Sequence, residues 1–321
     1  MTDSPTFEEL DFYDLIIEPS GFFFKNLKGS DQVLSRVPSQ YEDDVAIIRQ
    51  RLKEESGLQF RLNHNGIKYR VIRTNTVAGE AFIMRKGLPR VPDIKSIGLP
   101  GYLIENLLSP HRKEGLLLIS GQMASGKTYT ATALVKAWLE KFGGLAVALE
   151  DPPEAPLQED CVKNGRCLQI DITGQSMAAE LKNTLRRSAS LIFLGELRDE
   201  DAVRQALTAS INGHLILATV HAKSVITTLQ KLVTMANSES AASTLAQGLQ
   251  GIVHQHYHFR RKYLEASYLF ADSGTAADRS TRQANFEAGI RDRIRKGDYH
   301  RLAGELDRQQ SSMAKKRKYN R

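Results

Sequence analysis

Cysteine is nearly missing from this chain. Cys161 and Cys167 are the only two among 321 residues. A structural zinc site usually takes four ligands in two close pairs, so one pair excludes that reading, and a reducing compartment disfavours a disulfide. Both are read as ordinary residues. Long apolar runs are also lacking: none approaches the roughly 20 residues a bilayer-spanning helix needs. The opening, MTDSPTFEELDFYD, is acidic and has neither the basic nor the apolar region of a secretory signal. The expected location is therefore the cytoplasm, or the cytoplasmic side of a membrane. Internal repeats and long low-complexity segments are missing too. Neither sign of charge dominates, and a net charge of +7 permits contact with nucleic acid or anionic lipid without demanding it.

With 41% hydrophobic residues, there is enough apolar material for two cores of ordinary size. The first ninety-odd residues have their own texture. LIIEPSGFFFKNL (Leu15 to Leu27) holds extended segments about a Pro-Ser-Gly turn. Tyr41 to Ser56 has Val45, Ile48 and Leu52 at helical spacing. The next stretch alternates as consecutive strands, with turns at Asn65-Gly66 and Ala78-Gly79. These features predict a small α+β domain. The Pro/Gly-punctuated Leu88 to Tyr102 is the expected linker. From about Gly115 strands and helices alternate, which predicts an α/β core on a largely parallel sheet. The expected domains are 1–95 and 96–321. The last seven residues carry Lys315, Lys316, Arg317, Lys318 and Arg321 and no acid. They are read as a solvated tail, with an electrostatic membrane or nucleic-acid contact as the alternative.

GQMASGKT, Gly121 to Thr128, interrupts the apolar texture. A plain turn would explain two glycines. The spacing G-x-x-x-x-G-K-T, between a strand over Leu116 to Ile119 and a helix carrying Ala131, Leu134, Val135, Trp138 and Phe142, points to a phosphate loop. The N–H groups of Gly121, Gln122, Met123, Ala124, Ser125, Gly126, Lys127 and Thr128, together with the helix N-terminus, would converge on phosphate oxygens. Lys127 would reach the outer phosphates, and Thr128 would ligate Mg²⁺. Three other apolar runs end in polar residues. Leu145 to Leu149 runs into Glu150, Asp151 and Glu154; Leu191 to Gly195 into Glu196; His214 to Val220 into His221. A parallel sheet places its ligand crevice beyond the strand C-termini. The three runs would thus deliver carboxylates and an imidazole to the phosphate loop. There Glu196 would organise the metal through water, Glu150 or Glu154 would act as catalytic base, and His221 would sense the phosphate.

Taken in order and spacing, GQMASGKT, LEDPPE, LIFLGELRD and NGHLILATVHAKS resemble the motifs of the secretion ATPases of bacterial type II and type IV systems. That group comprises pilus-retraction, type II secretion and type IV transfer motors. The resemblance implies an α/β, RecA-like P-loop ATPase core with a smaller N-terminal α+β (PAS-like) domain. It also implies ATP and Mg²⁺ as cofactors, a homohexamer, and inner-membrane platform or secretion-channel proteins as partners, with no direct role for nucleic acid. It identifies Glu150–Glu154 as an acidic box and Gly213–His221 as a His box. Leu191–Glu196 becomes a Walker B strand, with Gly195 where an aspartate is usual. YRVIRTNTVAGEAFIMRKGLPRVP resembles the segment before the family's linker, where Arg70 and Arg85 occupy the places of arginines that reach the nucleotide. Asn75 stands where a third arginine is usual. GIRDRIRKGDYHRLAGELD resembles the C-terminal helices.

The departures are the missing four-cysteine zinc module and HQHYHFRRKYLEAS (His254 to Ser267) in place of the usual Q-R-L stretch. His254, His256 and His258 would share one face of a strand. With no cysteine or carboxylate cluster beside them, a metal site there is disfavoured. The reading that results is an ATP-hydrolysing motor of a pilus, secretion or conjugation apparatus. Its rivals are a RecA-like nucleic-acid translocase and a non-hydrolysing, nucleotide-dependent assembly protein.

Overall fold

The computed structural model of the chain describes residues 5–160, 162–258, 261–271 and 281–319. Cys161 lies outside them. The chain divides into two compact units, Met1–Pro89 and Arg90–Arg321.

The first unit runs β1 (Asp14–Glu18), β2 (Gly21–Lys25), β3 (Leu34–Arg36), α1 (Glu42–Glu54), β4 (Gln59–His64), β5 (Ile67–Thr76) and β6 (Gly79–Lys86). Its sheet is antiparallel throughout, in the order β3-β2-β1-β6-β5-β4. Asn65 and Gly66 both have positive φ, at 50° and 80°, as the two-residue hairpin turn predicted there requires. In the β5–β6 hairpin Thr76 pairs with Gly79, so Val77 and Ala78 form the loop, one residue earlier than expected. Val45, Ile48 and Leu52 of α1 are fully buried, in one cluster with Leu15, Ile17, Phe24, Val71 and Met84 of the sheet. Each such aliphatic side chain contributes about 2 kcal/mol by leaving water.

The second unit begins with the stretch read as a linker. Val91, Ile94, Ile97 and Leu99 are buried, and the Val91 N–H donates to Asp160 at 3.1 Å. Apolar residues spaced between the prolines anchor this segment, which a free linker would not. Then follow α2 (Gly101–Leu107), β7 (Gly115–Gly121), α3 (Lys127–Phe142), β8 (Gly144–Glu150), β9 (Gly165–Asp171), α4 (Met177–Thr184), β10 (Leu191–Leu194), α5 (Glu200–Ile211), β11 (Leu215–His221), α6 (Val225–Ala236) and α7 (Ala241–Gly248). The last elements are β12 (Leu249–His258), β13 (Tyr263–Phe270), α8 (Thr281–Arg295) and α9 (Ala303–Tyr319). The sheet order is β13-β12-β7-β11-β10-β8-β9, parallel from β12 to β9, with β13 antiparallel at its edge.

This is the expected RecA-like α/β core. The central strands are buried on both faces, which explains their continuous apolar runs. Leu116, Leu118, Val147, Leu149, Ile192 and Ile216 share one cluster with residues of α4 to α8, and α3 lies against β7, β8, β9 and β11. In α3 the buried face is Ala131, Leu134, Val135 and Leu139. Trp138 is only half-buried and Phe142 is 37% exposed; their rings pack on each other at 5.3 Å, outside the core. The predicted stripe was therefore rotated by about one residue at its C-terminal end. Arg112 is 2% exposed, bonds Asn106 and Gln250, and lies under the Phe270 ring, so it ties α2 to the β12–β13 hairpin. Helix α9 carries Lys315 to Lys318 in helical backbone, so the expected tail continues a helix rather than trailing from it. Asn320 and Arg321 fall outside the described residues.

Candidate nucleotide site

The phosphate loop leaves the C-terminal end of β7 and enters α3 at Lys127. Two glycines are required where they stand. A Cβ on Gly121 would collide with Ser125 Oγ and lie 2.5 Å from Gln255 O, while Gly126 is left-handed, with φ 82°. Ala124 is held at φ 59°, a region non-glycine residues enter at a cost and which clusters at functional sites. Lys127 Nζ folds back to donate to Gln122 O at 2.9 Å. Burial pushes this amine below its ordinary lysine value, and the nearby Glu196 and Glu154 carboxylates pull the other way. Lys127 is thus a partly desolvated cation facing two acids.

A cavity of about 320 Å³ opens beside Thr128. It is lined by Glu150 and Glu154 from the end of β8 and the loop after it, by Glu196 from the end of β10, and by Asp199 and Arg198. Three of the four apolar runs therefore deliver their polar ends to one place. The two candidate bases differ. Glu150 is 2% exposed, and its carboxylate accepts from Gln169 Nε2 at 2.7 Å. Glu154 is exposed. Glu196 is not a helix-start residue, because α5 begins at Glu200, capped by the Asp199 side chain at 2.8 Å from the Ala202 N–H. Its carboxylate accepts from Arg198 Nε at 3.0 Å, and Arg198 Nη1 reaches Asp151 at 3.4 Å. Gly195, in the place of an aspartate, packs against Glu150: a Cβ there would lie 3.2 Å from Glu150 Cγ. An aspartate would crowd a second carboxylate onto a buried one. The lining holds Glu150, Asp151, Glu154, Glu196, Asp199 and Asp201 against the single base Arg198. The Thr128 hydroxyl with a carboxylate beside it would suit Mg²⁺ shared with phosphate oxygens and water, rather than an ion held by protein ligands alone.

His221 ends β11 opposite Gly121 of β7, exposed, with its carbonyl held by Lys231 Nζ at 2.8 Å. It lies next to the loop but not on the cavity wall. Arg70 and Arg85 belong to the first unit, where they face one another across β5 and β6. Arg85 is bonded to the buried Asp14, Nε to Oδ1 at 2.9 Å, and stacks over Tyr13. His254, His256 and His258 do follow one another on alternate positions of β12. His254 contacts Ser120 Oγ at 3.3 Å, and His258 pairs with Glu265 at 2.7 Å. Among the described residues no three His, Cys, Asp or Glu side chains are arranged to hold a metal. Cys167 is buried beside Glu150, and desolvation pushes its thiol up to about 12, so it is inert.

Residues 25–285 match the family described as "Type II/IV secretion system protein". The chain belongs to that family. The uncharacterized protein YggR of Escherichia coli (strain K12) is 34% identical over 167 residues, 48% of this chain and 49% of that protein. The type II secretion system protein HxcR of Pseudomonas aeruginosa is 32% identical over 212 residues, 63% of this chain and 42% of that one. The chain thus spans about half the length of these curated relatives. The crystal structure of the pilus retraction motor PilT with bound ADP superposes with a TM-score of 0.70 at 24% identity, over 93% of this chain and 86% of that one. At that identity the likeness establishes the fold: an N-terminal domain followed by the RecA-like core. Membership in the secretion-system family rests on the profile match. Sequence reasoning did not single out Gln169, Arg198, Thr219 or Gln255. Thr219, inside the run that ends at His221, donates to Gly195 O; Gln169, which holds Glu150, lies in β9, outside every motif segment.

Proposed function

We propose that this chain is an ATP-hydrolysing motor subunit of a type II or type IV secretion or type IV pilus apparatus, working as a homohexamer at the cytoplasmic face of the membrane. The observation that carries the reading is the convergence of the phosphate loop, Thr128, Glu154 and Glu196 on one acid-rich cavity. The loop amides and Lys127 bind the phosphates. Thr128 and, through water, Glu196 would hold Mg²⁺, which when bound offsets charge on the transferred phosphoryl group. Glu154, exposed and facing Lys127, takes the proton of the attacking water. Glu150, buried and tied to Gln169, fixes the shape of the acidic loop. Arg70 and Arg85 close on the γ-phosphate from an N-terminal domain, and its loss releases that domain, which turns hydrolysis into motion. The partners in this reading are inner-membrane platform or channel proteins, with the basic C-terminal helix able to meet anionic lipid. Among the described residues no helix is long and apolar enough to cross a membrane.

The test is labelled-ATP binding and phosphate release by the full chain. No binding overturns the reading, and binding without release makes the chain a nucleotide-dependent assembly protein instead. One variant probes the arginine scheme. Arg85→Ala is expected to slow phosphate release by about 10- to 100-fold with ATP affinity nearly kept, because a guanidinium on the transition-state charge acts after binding. Arg85 also partners the buried Asp14, so Asp14→Asn serves as the control for that lost pair. Unchanged turnover would leave Arg85 as no more than the Asp14 partner.

A further inference from the structure

One buried side chain beneath the phosphate loop belongs to none of the motif segments. Gln255 lies in β12, opposite Gly121 of β7 in the strand register, and is 1% exposed. Its Nε2 donates to Ser125 O at 2.6 Å. Its backbone oxygen occupies the space a Gly121 Cβ would need, and its Nε2 lies 3.3 Å from where a Gly126 Cβ would be. A residue from the C-terminal part of the chain thus lies against the loop at Gly121, Ser125 and Gly126.

Filling space does not explain an amide here. Gln255 Oε1 and Ser125 Oγ are both buried without a hydrogen-bond partner. Each such atom carries the desolvation cost of an unmade hydrogen bond, and native interiors hold few of them. A leucine or methionine would fill the same volume without that cost. The amide must therefore do something an apolar side chain cannot, and the Ser125–Gly126 peptide supplies the reason. In a planar trans peptide the carbonyl and the next N–H point in opposite directions. Holding the Ser125 carbonyl from below turns the Gly126 N–H to the other side of the loop, toward an anion. A carbonyl facing that anion would repel it.

We propose that Gln255 is a positioning residue of the phosphate loop: its side-chain amide anchors the Ser125 carbonyl and so aims the Gly126 N–H at the phosphates of the bound nucleotide. The proposal rests on the ATP reading of the site. It deepens that reading by placing one determinant of nucleotide affinity outside the loop, on the strand that pairs with β7.

The experiment uses the full chain with two substitutions, Gln255→Met and Gln255→Glu. Labelled ATP measures affinity, phosphate release separates KM from kcat, and hydrogen exchange of the loop amides is followed without nucleotide. In Gln255→Met the ATP Kd should rise about 5- to 10-fold, the equivalent of one buried hydrogen bond. KM should rise more than kcat falls, and amides 121–128 should exchange faster while those of β10 and β11 keep their protection. In Gln255→Glu a carboxylate faces the Ser125 carbonyl and repels it at neutral pH. On acidification the protonated acid regains a donor, so the Kd, taken as a ratio to wild type at each pH, should return toward one. Burial places that recovery at or above the ordinary glutamate range. Gln255→Met has no titrating group and should show no recovery. Wild-type affinity together with unchanged loop exchange in Gln255→Met would overturn the proposal. Should that variant fail to fold, the absence of acid recovery in Gln255→Glu would overturn it instead. Failure of the wild-type chain to bind ATP would remove the ATP reading alone; the loop-exchange comparison would still decide the role of Gln255.

Discussion

Glu196→Gln is expected to keep ATP bound and to lower phosphate release by about 10³-fold, the equivalent of roughly 4 kcal/mol of barrier. Glutamine keeps the size and one acceptor oxygen and removes the charge. Binding survives because Lys127 and the loop amides contact the phosphates directly. Hydrolysis fails because the metal and the attacking water lose their anionic organiser. Arg198, which splits its guanidinium between Glu196 and Asp151, keeps the second partner, so the loop after β10 should hold its shape. Mixed into wild-type protein, the variant should suppress turnover out of proportion to its share if the subunits work as the proposed ring, because one holding unspent ATP would stall its neighbours. Normal phosphate release would reduce Glu196 to a partner of Arg198.

Lys127→Ala should lose ATP binding by at least about 100-fold, and turnover with it. The amine is partly desolvated and already directed by Gln122 O, so little is spent on ordering it when phosphate arrives. Its lowered pKa adds a signature. Deprotonation removes the attraction, so wild-type affinity should fall on alkaline titration at a lower pH than an ordinary lysine would give. Bound phosphate shifts that fall back upward. The alanine variant should show neither effect. Wild-type affinity in Lys127→Ala would sink the phosphate-loop assignment, and a flat alkaline profile would mean that the amine contributes packing only.

Much of this site is legible in the sequence because its geometry permits few alternatives. Gly121 has no room for a side chain, Gly126 must be left-handed, and buried parallel strands require unbroken runs such as LLLI and LIFL. Where a residue's burial is one-sided the signal weakens. β9 is an edge strand with Arg166 and Leu168 turned outward, and it shows neither a run nor a clean alternation, so it went unseen, and with it Gln169 and the anchoring of Glu150. Trp138 and Phe142 looked like core because of their size, yet they cover one another at the rim. Gln255 sits among histidines in HQHYH, a stretch whose polarity suggests exposure or metal, whereas its amide is fully enclosed. Propensity describes single residues. The places of Gln169 and Gln255 were decided by neighbours distant in the chain.

β7 and β8 are consecutive in the chain but not adjacent in the sheet: β11 and β10 lie between them. During synthesis, then, β7 and β8 emerge with no partner for each other and wait with open edges until β10 and β11 are made and slot into the gap. Gly121 meets His221 only at that stage, and Gln255 only after β12 follows. A nascent chain stopped before β12 carries the whole GQMASGKT segment yet lacks the floor on which it rests. The exposed strand edges make that interval the one in which pairing with another chain competes most with folding.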